Sequence, residues 1–225
     1  MTAAATTTTT ATGFRYIVVE GPIGVGKTSL ARRLAETYEA TLILEQAAEN
    51  PFLERFYRNP RAAAFPAQLY FLFQRTQQLQ GLNQSDMFSP VRVSDYLLAK
   101  DQLFARITLD EAEYQLYEQV HAKLGGVAPK PDLVIYLQAP VDVLLARIGR
   151  RGIAFEQQIE RAYLTRLNEA YSRFFHEYDE APLLIVNAAS MDPIGNQSDY
   201  DDLLLAISRV KRGRNYYNAM RHGTI

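Results

Sequence analysis

The chain has 225 residues, 48% of them apolar, which is ample for one sizeable core and marginal for two. Its 24 basic and 25 acidic residues leave a net charge of −1, against a dedicated nucleic-acid or membrane-surface protein. There are no cysteines, so a disulfide scaffold, a thiolate zinc site and a cysteine nucleophile are excluded.

Residues 1–13 are mostly alanine and threonine with no apolar stretch of signal-peptide type, and they read as a disordered leader. No apolar run has the length of a membrane span, so a cytoplasmic protein is the expectation. Tyr16 to Glu20 reads as a short apolar strand, followed by a glycine-rich loop and the first turn of a helix. The spacing Gly21-Pro22-Ile23-Gly24-Val25-Gly26-Lys27-Thr28 fits G-x-x-x-x-G-K-[ST], a phosphate-binding loop, with Ser29 following in the helix. Glycines let backbone amides turn toward one polyphosphate, and the helix start adds unpaired N–H groups and a positive dipole end. Lys27 can reach the β- and γ-phosphates, and the Thr28 hydroxyl is placed for Mg²⁺.

Thr41 to Leu44 has strand character and ends on Glu45. Asn50-Pro51 is a helix-start signal before a short helix that stops near Asn59-Pro60. Phe65 to Leu82 reads as a long helix with Gln68, Phe71, Leu72, Arg75 and Leu79 along one side. Val91 to Asp95 reads as a third strand, Asp101–Ile107 and Asp110–Leu124 as helices, the latter stopped by Gly125-Gly126. Leu133 to Leu137 is apolar throughout, as a strand buried on both faces should be. Val141 to Arg150 is predicted to be a helix running into a basic turn. A long helix from about Ala154 carries the stripe Phe155, Ile159, Tyr163, Leu167, Tyr171, Phe174, Tyr178, read as core. Leu183 to Val186 is the fifth strand, and Tyr200 to Val210 the last helix. The pattern predicts one α/β domain over residues 14–211, a five-stranded parallel sheet with helices on both faces, and a frayed basic tail at 212–225.

Five stretches together resemble the deoxynucleoside kinase family: Glu20 to Lys27, Glu45, Asn50 to Tyr57, Gln68 to Arg75, and Pro131 to Leu137. The resemblance covers about residues 14 to 190 and is nearest to bacterial members acting on deoxypurine nucleosides. It implies the three-layer P-loop kinase fold with an arginine-rich lid, ATP and Mg²⁺ as cofactors, and a homodimer. It also implies that the γ-phosphoryl of ATP passes to the 5′-hydroxyl of a deoxynucleoside, a step of nucleotide salvage.

By the same resemblance Glu45 is the general base, Tyr57 and Glu156 meet the sugar 3′-hydroxyl, and Gln68 and Asp101 read the base with Arg75 beside Gln68. Read from position alone, Glu45 is equally a strand-end carboxylate capping the next turn. Asp95, at a strand's carboxyl end, can hold Mg²⁺ with Thr28. Where the family usually has an acid-Arg-Ser triplet, this chain has Asp95-Tyr96-Leu97, so either another arginine takes that place or catalysis is weaker. Arg147 and Arg151 match lid arginines, a third is replaced by Ile153, and Arg150 could stand in for it. Guanidinium forks suit phosphate oxygens, although the same basic turn also reads as a solvated helix end. A thymidylate kinase-like monophosphate kinase and a catalytically weak nucleotide-binding module are the alternatives. Glu45 at the acceptor end argues for a neutral hydroxyl over a phosphate.

Overall fold

β1 (Tyr16–Glu20) is buried along its whole length, as a central strand of a doubly covered parallel sheet must be. The structure, a computed structural model, describes residues 13–83, 91–124 and 129–218. β1 pairs in parallel with β3 (Arg92–Ser94) on one side and β4 (Leu133–Gln138) on the other. β2 (Thr41–Ile43) adds beyond β3, and β5 (Leu183–Asn187) beyond β4. The Asp132 carboxylate accepts from the backbone N–H of Arg15 and Tyr16 at 2.8 and 2.9 Å, which fixes the entry of β1 against β4.

The sheet has six strands, in the order β2-β3-β1-β4-β5-β6, so the expectation of five is corrected. The sixth is β6 (Arg214–Tyr217), drawn from the tail that the sequence reading treats as frayed. Four residues are too few to declare a strand by pattern. What makes them one is the open edge of β5, whose amides and carbonyls take a partner.

α1 (Lys27–Thr37) buries Leu30, Ala31, Leu34 and Ala35 against the sheet. α2 (Leu53–Arg58) begins two residues later than Asn50-Pro51 suggests. Asn50 still serves its start, its Oδ1 accepting from the N–H of Phe52 at 3.0 Å. α3 (Pro60–Asn83) opens at Pro60, not Phe65. Proline suits a first helical position, and the Ala62-Ala63-Ala64 run carries the helix past Pro66. α4 (Lys100–Thr108) and α5 (Glu111–Leu124) follow β3. Asp110 and Glu113 exchange side-chain-to-backbone bonds at the start of α5, a capping box. α6 (Val141–Arg151) ends at Gly152, whose φ of 69° stops it in the left-handed region. The segment from Ala154 is a 3₁₀ turn to Gln158, and only then does α7 (Arg161–Glu177) begin. α8 (Gln197–Ser208) is capped by the Asn196 side chain. Residues 1–12 of the leader, Gly125-Gly126, the end of the tail at 219–225 and the side chains of Leu79 and Leu82 lie outside the described residues.

Strand order places the carboxyl ends of β1, β2 and β3 side by side, where an open parallel sheet binds its ligands. Glu20, Glu45 and Asp95 stand at or just beyond those ends. Among the described residues, no helix is long and apolar enough to cross a membrane.

Candidate active site

The loop from Gly21 to Gly26 is wedged between β4 and α6. A Cβ on Gly21 would lie 2.5 Å from the carbonyl oxygen of Leu137. One on Gly24 would lie 2.9 Å from that of Leu144 and 2.8 Å from the Ile148 side chain. Both have positive φ, 149° and 83°, so only glycine serves at either position. Lys27 Nζ curls back to donate to the carbonyls of Gly21 at 2.8 Å and Pro22 at 3.2 Å. Burial, then the nearby ammonium of Lys100, pull its pKa below the usual lysine range. Thr28 Oγ1 donates to Asp95 Oδ2 at 2.5 Å, and Asp95 Oδ1 accepts from the backbone N–H of Glu45 at 2.7 Å. Asp95 thereby ties the phosphate loop to Glu45, two residues past β2. Burial pushes the Asp95 carboxyl up.

Glu45 stands between two cations. Its Oε1 accepts from Arg75 Nε at 3.0 Å and from Arg75 NH2, and lies 3.2 Å from Lys100 Nζ. Burial works to raise its pKa, but Arg75, Lys100 and Lys27 together hold it well below the usual carboxylate range. Arg75 pairs through its other terminal nitrogen with Asp101, and its guanidinium lies 4.8 Å from the centre of the Phe71 ring. Lys100 Nζ lies 3.3 Å from Glu20 Oε1. Glu20 also accepts from the N–H of Gly21 (2.7 Å), the N–H of Leu97 (3.2 Å) and the Tyr171 hydroxyl (3.0 Å). Asp101, Arg75, Glu45, Lys100 and Glu20 thus form a chain of alternating charge drawn from α4, α3, the loop after β2, α4 again and β1.

Two cavities meet at Gly24, Lys27, Thr28 and Arg151. One runs past Glu45 to Tyr57, Gln68, Arg75 and Glu156. The other runs between the phosphate loop, Arg147, Arg150 and the segment Ala188–Ile194 after β5. The structure therefore gathers Glu45, Tyr57, Gln68, Arg75, Asp95 and Glu156 around one chamber, beside Lys27 and Thr28. Asp101 does not line it but pairs with Arg75, which does. Arg151 pairs with Glu156 at 2.5 Å. Arg147 is on the other side, donating to the carbonyls of Val25 at 2.8 Å and Ala188 at 2.7 Å, so it fastens the loop to the end of β5. Tyr57 stacks on Phe155 with the rings 6.1 Å apart, and burial holds its phenol well above its usual pKa.

Sequence reasoning missed several residues here. Tyr163, read as core, lines the chamber and meets Phe56 edge-on. Phe155, read the same way, backs Tyr57. A helical stripe does not distinguish a core face from a cavity wall, so periodicity could not have told them apart. Lys100 and the bonds of Glu20 were also missed, since a lysine in a helix's first turn reads as solvated. Tyr96 carries no charge into the site: its hydroxyl donates to Gln78 Oε1, and Gln78 donates to the carbonyl of Leu44. On the alternatives left open by Tyr96, the described residues offer Glu45 both an arginine, Arg75 from α3, and a lysine, Lys100, four residues after Tyr96.

A phosphate loop at the switch point of a parallel sheet, with separate chambers on its two sides, defines a P-loop kinase. The family described as deoxynucleoside kinase matches residues 17–210. The chain belongs to that family, and it is a phosphotransferase acting on deoxynucleosides. It is 36% identical over 203 residues to a deoxyguanosine kinase of Bacillus subtilis (strain 168), covering 87% of this chain and 97% of the relative. It is 29% identical over 213 residues to a deoxyadenosine kinase of Lactobacillus acidophilus, covering 88% and 97%. The structure of deoxyadenosine kinase from M. mycoides with bound dATP shares the fold, with a TM-score of 0.74 at 23% identity over 84% of this chain and 97% of that one.

Proposed function

We propose that the chain transfers the γ-phosphoryl group of ATP to the 5′-hydroxyl of a deoxypurine nucleoside. The observation that carries this reading is the meeting of two chambers at Lys27 and Thr28, with Glu45 lining only the one that runs to Tyr57, Gln68 and Glu156. The triphosphate lies along the loop amides of Gly21–Ser29 and takes the Lys27 ammonium from the carbonyls it now contacts. Arg151 closes on the transferring group, and Arg147 holds the donor chamber in shape.

Thr28 and Asp95 offer a hard divalent cation a hydroxyl and a carboxylate oxygen at the end of the loop, where they are hydrogen-bonded to each other. Mg²⁺ bound there would neutralise charge on the β- and γ-phosphates.

The nucleoside enters the other chamber with its 5′-hydroxyl on Glu45. Because Arg75 and Lys100 keep that carboxylate ionised, it accepts a hydrogen bond at once and aims the oxygen at phosphorus. The loose transition state asks little of a base until late. The bond from phosphorus to the β-bridging oxygen breaks, the bond to the 5′-oxygen forms, and the hydroxyl proton passes to Glu45. Tyr57 and Glu156 meet the 3′-hydroxyl. Gln68 and Arg75, the latter set by Asp101, face the base. The relatives named above are purine nucleoside kinases, which favours a purine base here.

We read residues 14–217 as one catalytic domain of a cytoplasmic homodimer. Phe73 on α3 and Leu116 on α5 are each 49% exposed and supply apolar surface for such a contact. The test is labelled ATP against the four deoxynucleosides and their monophosphates, with Glu45→Gln alongside. Transfer to deoxyguanosine or deoxyadenosine is expected, and the variant should lose orders of magnitude in kcat with ATP affinity nearly unchanged. Wild-type turnover in Glu45→Gln would remove that residue from the mechanism.

A further inference from the structure

We propose that Lys100 is a positioning residue for phosphoryl transfer: its ammonium pins one oxygen of Glu45 to the root of the phosphate loop and leaves the other facing the acceptor. The inference rests on the reading of Glu45 as the acceptor carboxylate.

A lysine with 2% of its surface exposed is uncommon, and the interior keeps one only where its charge is matched. Here the match is double, to Glu20 Oε1 at 3.3 Å and Glu45 Oε1 at 3.2 Å. Glu20 is fully buried at the end of β1 and bonds the N–H of Gly21, the first residue of the loop. Lys100 therefore spans from the element that grips the donor to the side chain that grips the acceptor. The rings of Tyr96 and Phe104, 5.9 and 6.0 Å away, flank the ammonium. That lysine shares Glu45 Oε1 with Arg75, so both cations converge on one oxygen. Glu45 Oε2 has no partner among the described residues and is not sealed from solvent. With Oε1 fixed from two directions the carboxylate cannot rotate, and Oε2 keeps its aim into the chamber. Transfer depends on in-line geometry, so a carboxylate free to turn costs rate, not nucleotide affinity.

The test is a cycle of Lys100→Met, Glu45→Gln and the double variant, each checked for folding and for ATP binding by calorimetry. Lys100→Met is expected to lower kcat about 10- to 100-fold while KM for ATP moves less than about threefold. The double variant should be no slower than Glu45→Gln alone, since both changes disable one carboxylate. Where Lys100→Met yields no folded protein, Lys100→Gln, whose amide still donates to Glu20, carries the same comparison. Unchanged kcat in the folded Lys100 variant, or losses that multiply in the double variant, would overturn the inference and leave Glu45 in place. Wild-type turnover in Glu45→Gln would instead overturn the reading of Glu45, and this inference with it.

Discussion

Arg75→Met isolates what the charge chain contributes to stability. The arginine side chain is 4% exposed and lies between Glu45 and Asp101, the latter 1% exposed. Removing the cation leaves Asp101 buried with no opposite charge among its described partners, while Glu45 keeps Lys100. Breaking a buried pair from one side costs about 3–5 kcal/mol, because the remaining charge is stranded. For a domain of this size about 1 kcal/mol corresponds to about 2–4 °C, so Tm should fall by about 6–20 °C. Urea unfolding followed by circular dichroism gives the free energy directly. The discriminating variant is Arg75→Met/Asp101→Leu, which removes both charges and fills the space with carbon. It should recover most of the loss, since apolar replacement of a buried pair is commonly neutral or stabilising. A single variant that costs under about 1 kcal/mol, or a double variant no better than the single, would refute the reasoning.

Glu45 predicts a pH dependence. Its folded-state pKa is depressed, so the stabilisation is present above the ordinary carboxylate range and is lost as pH falls from about 5 toward 3. Tm of the wild type should drop more steeply over that window than Tm of Glu45→Gln, and parallel curves would contradict the assignment. Asp95→Asn should raise the Mg²⁺ concentration for half-maximal activity by about tenfold or more, with circular dichroism unchanged; an unaltered Mg²⁺ titration would remove Asp95 from the metal site. Deleting residues 211–225 strips β6 from β5, which exposes a buried apolar strand edge. The shortened chain should show a lower Tm and concentration-dependent association in light scattering, and a monodisperse chain with native Tm would return the tail to a bystander.

Much of this was legible because the signals are local. The run Gly21 to Thr28 carries its own turn chemistry, and the apolar strand before it and amphipathic helix after it leave one way to fold. Glu45 and Asp95 were legible one step further on, because parallel strands bring their carboxyl ends to a single edge. Lys100 was not legible. Nothing in Leu98-Ala99-Lys100-Asp101 says that two adjacent charged residues in one helical turn point inward to different partners, and only the sheet order puts Glu20 and Glu45 there to meet them. Arg147 is the converse. It matches a lid arginine only by resemblance to the family, and its bonds here go to two backbone carbonyls, though a guanidinium's donors serve either purpose equally well.

The sign of the buried charge also bears on which acceptor the site takes. Glu20, Glu45 and Asp101 are matched by Arg75 and Lys100, so the cluster carries one negative charge in excess. That excess sits on the acceptor side. The donor side has Lys27 and the α6 arginines Arg147, Arg150 and Arg151, of which Arg151 alone reaches across to the other chamber. A monophosphate acceptor would bring its charge within about 4 Å of Glu45, at roughly 4 kcal/mol per unit charge for an effective dielectric near 20, or about a thousandfold in affinity. A nucleoside brings an uncharged hydroxyl that a carboxylate welcomes. On the proposed role of Glu45, the carboxylate that aims the alcohol would, once it has released the proton it took, also face the newly formed 5′-phosphate and so favour product release.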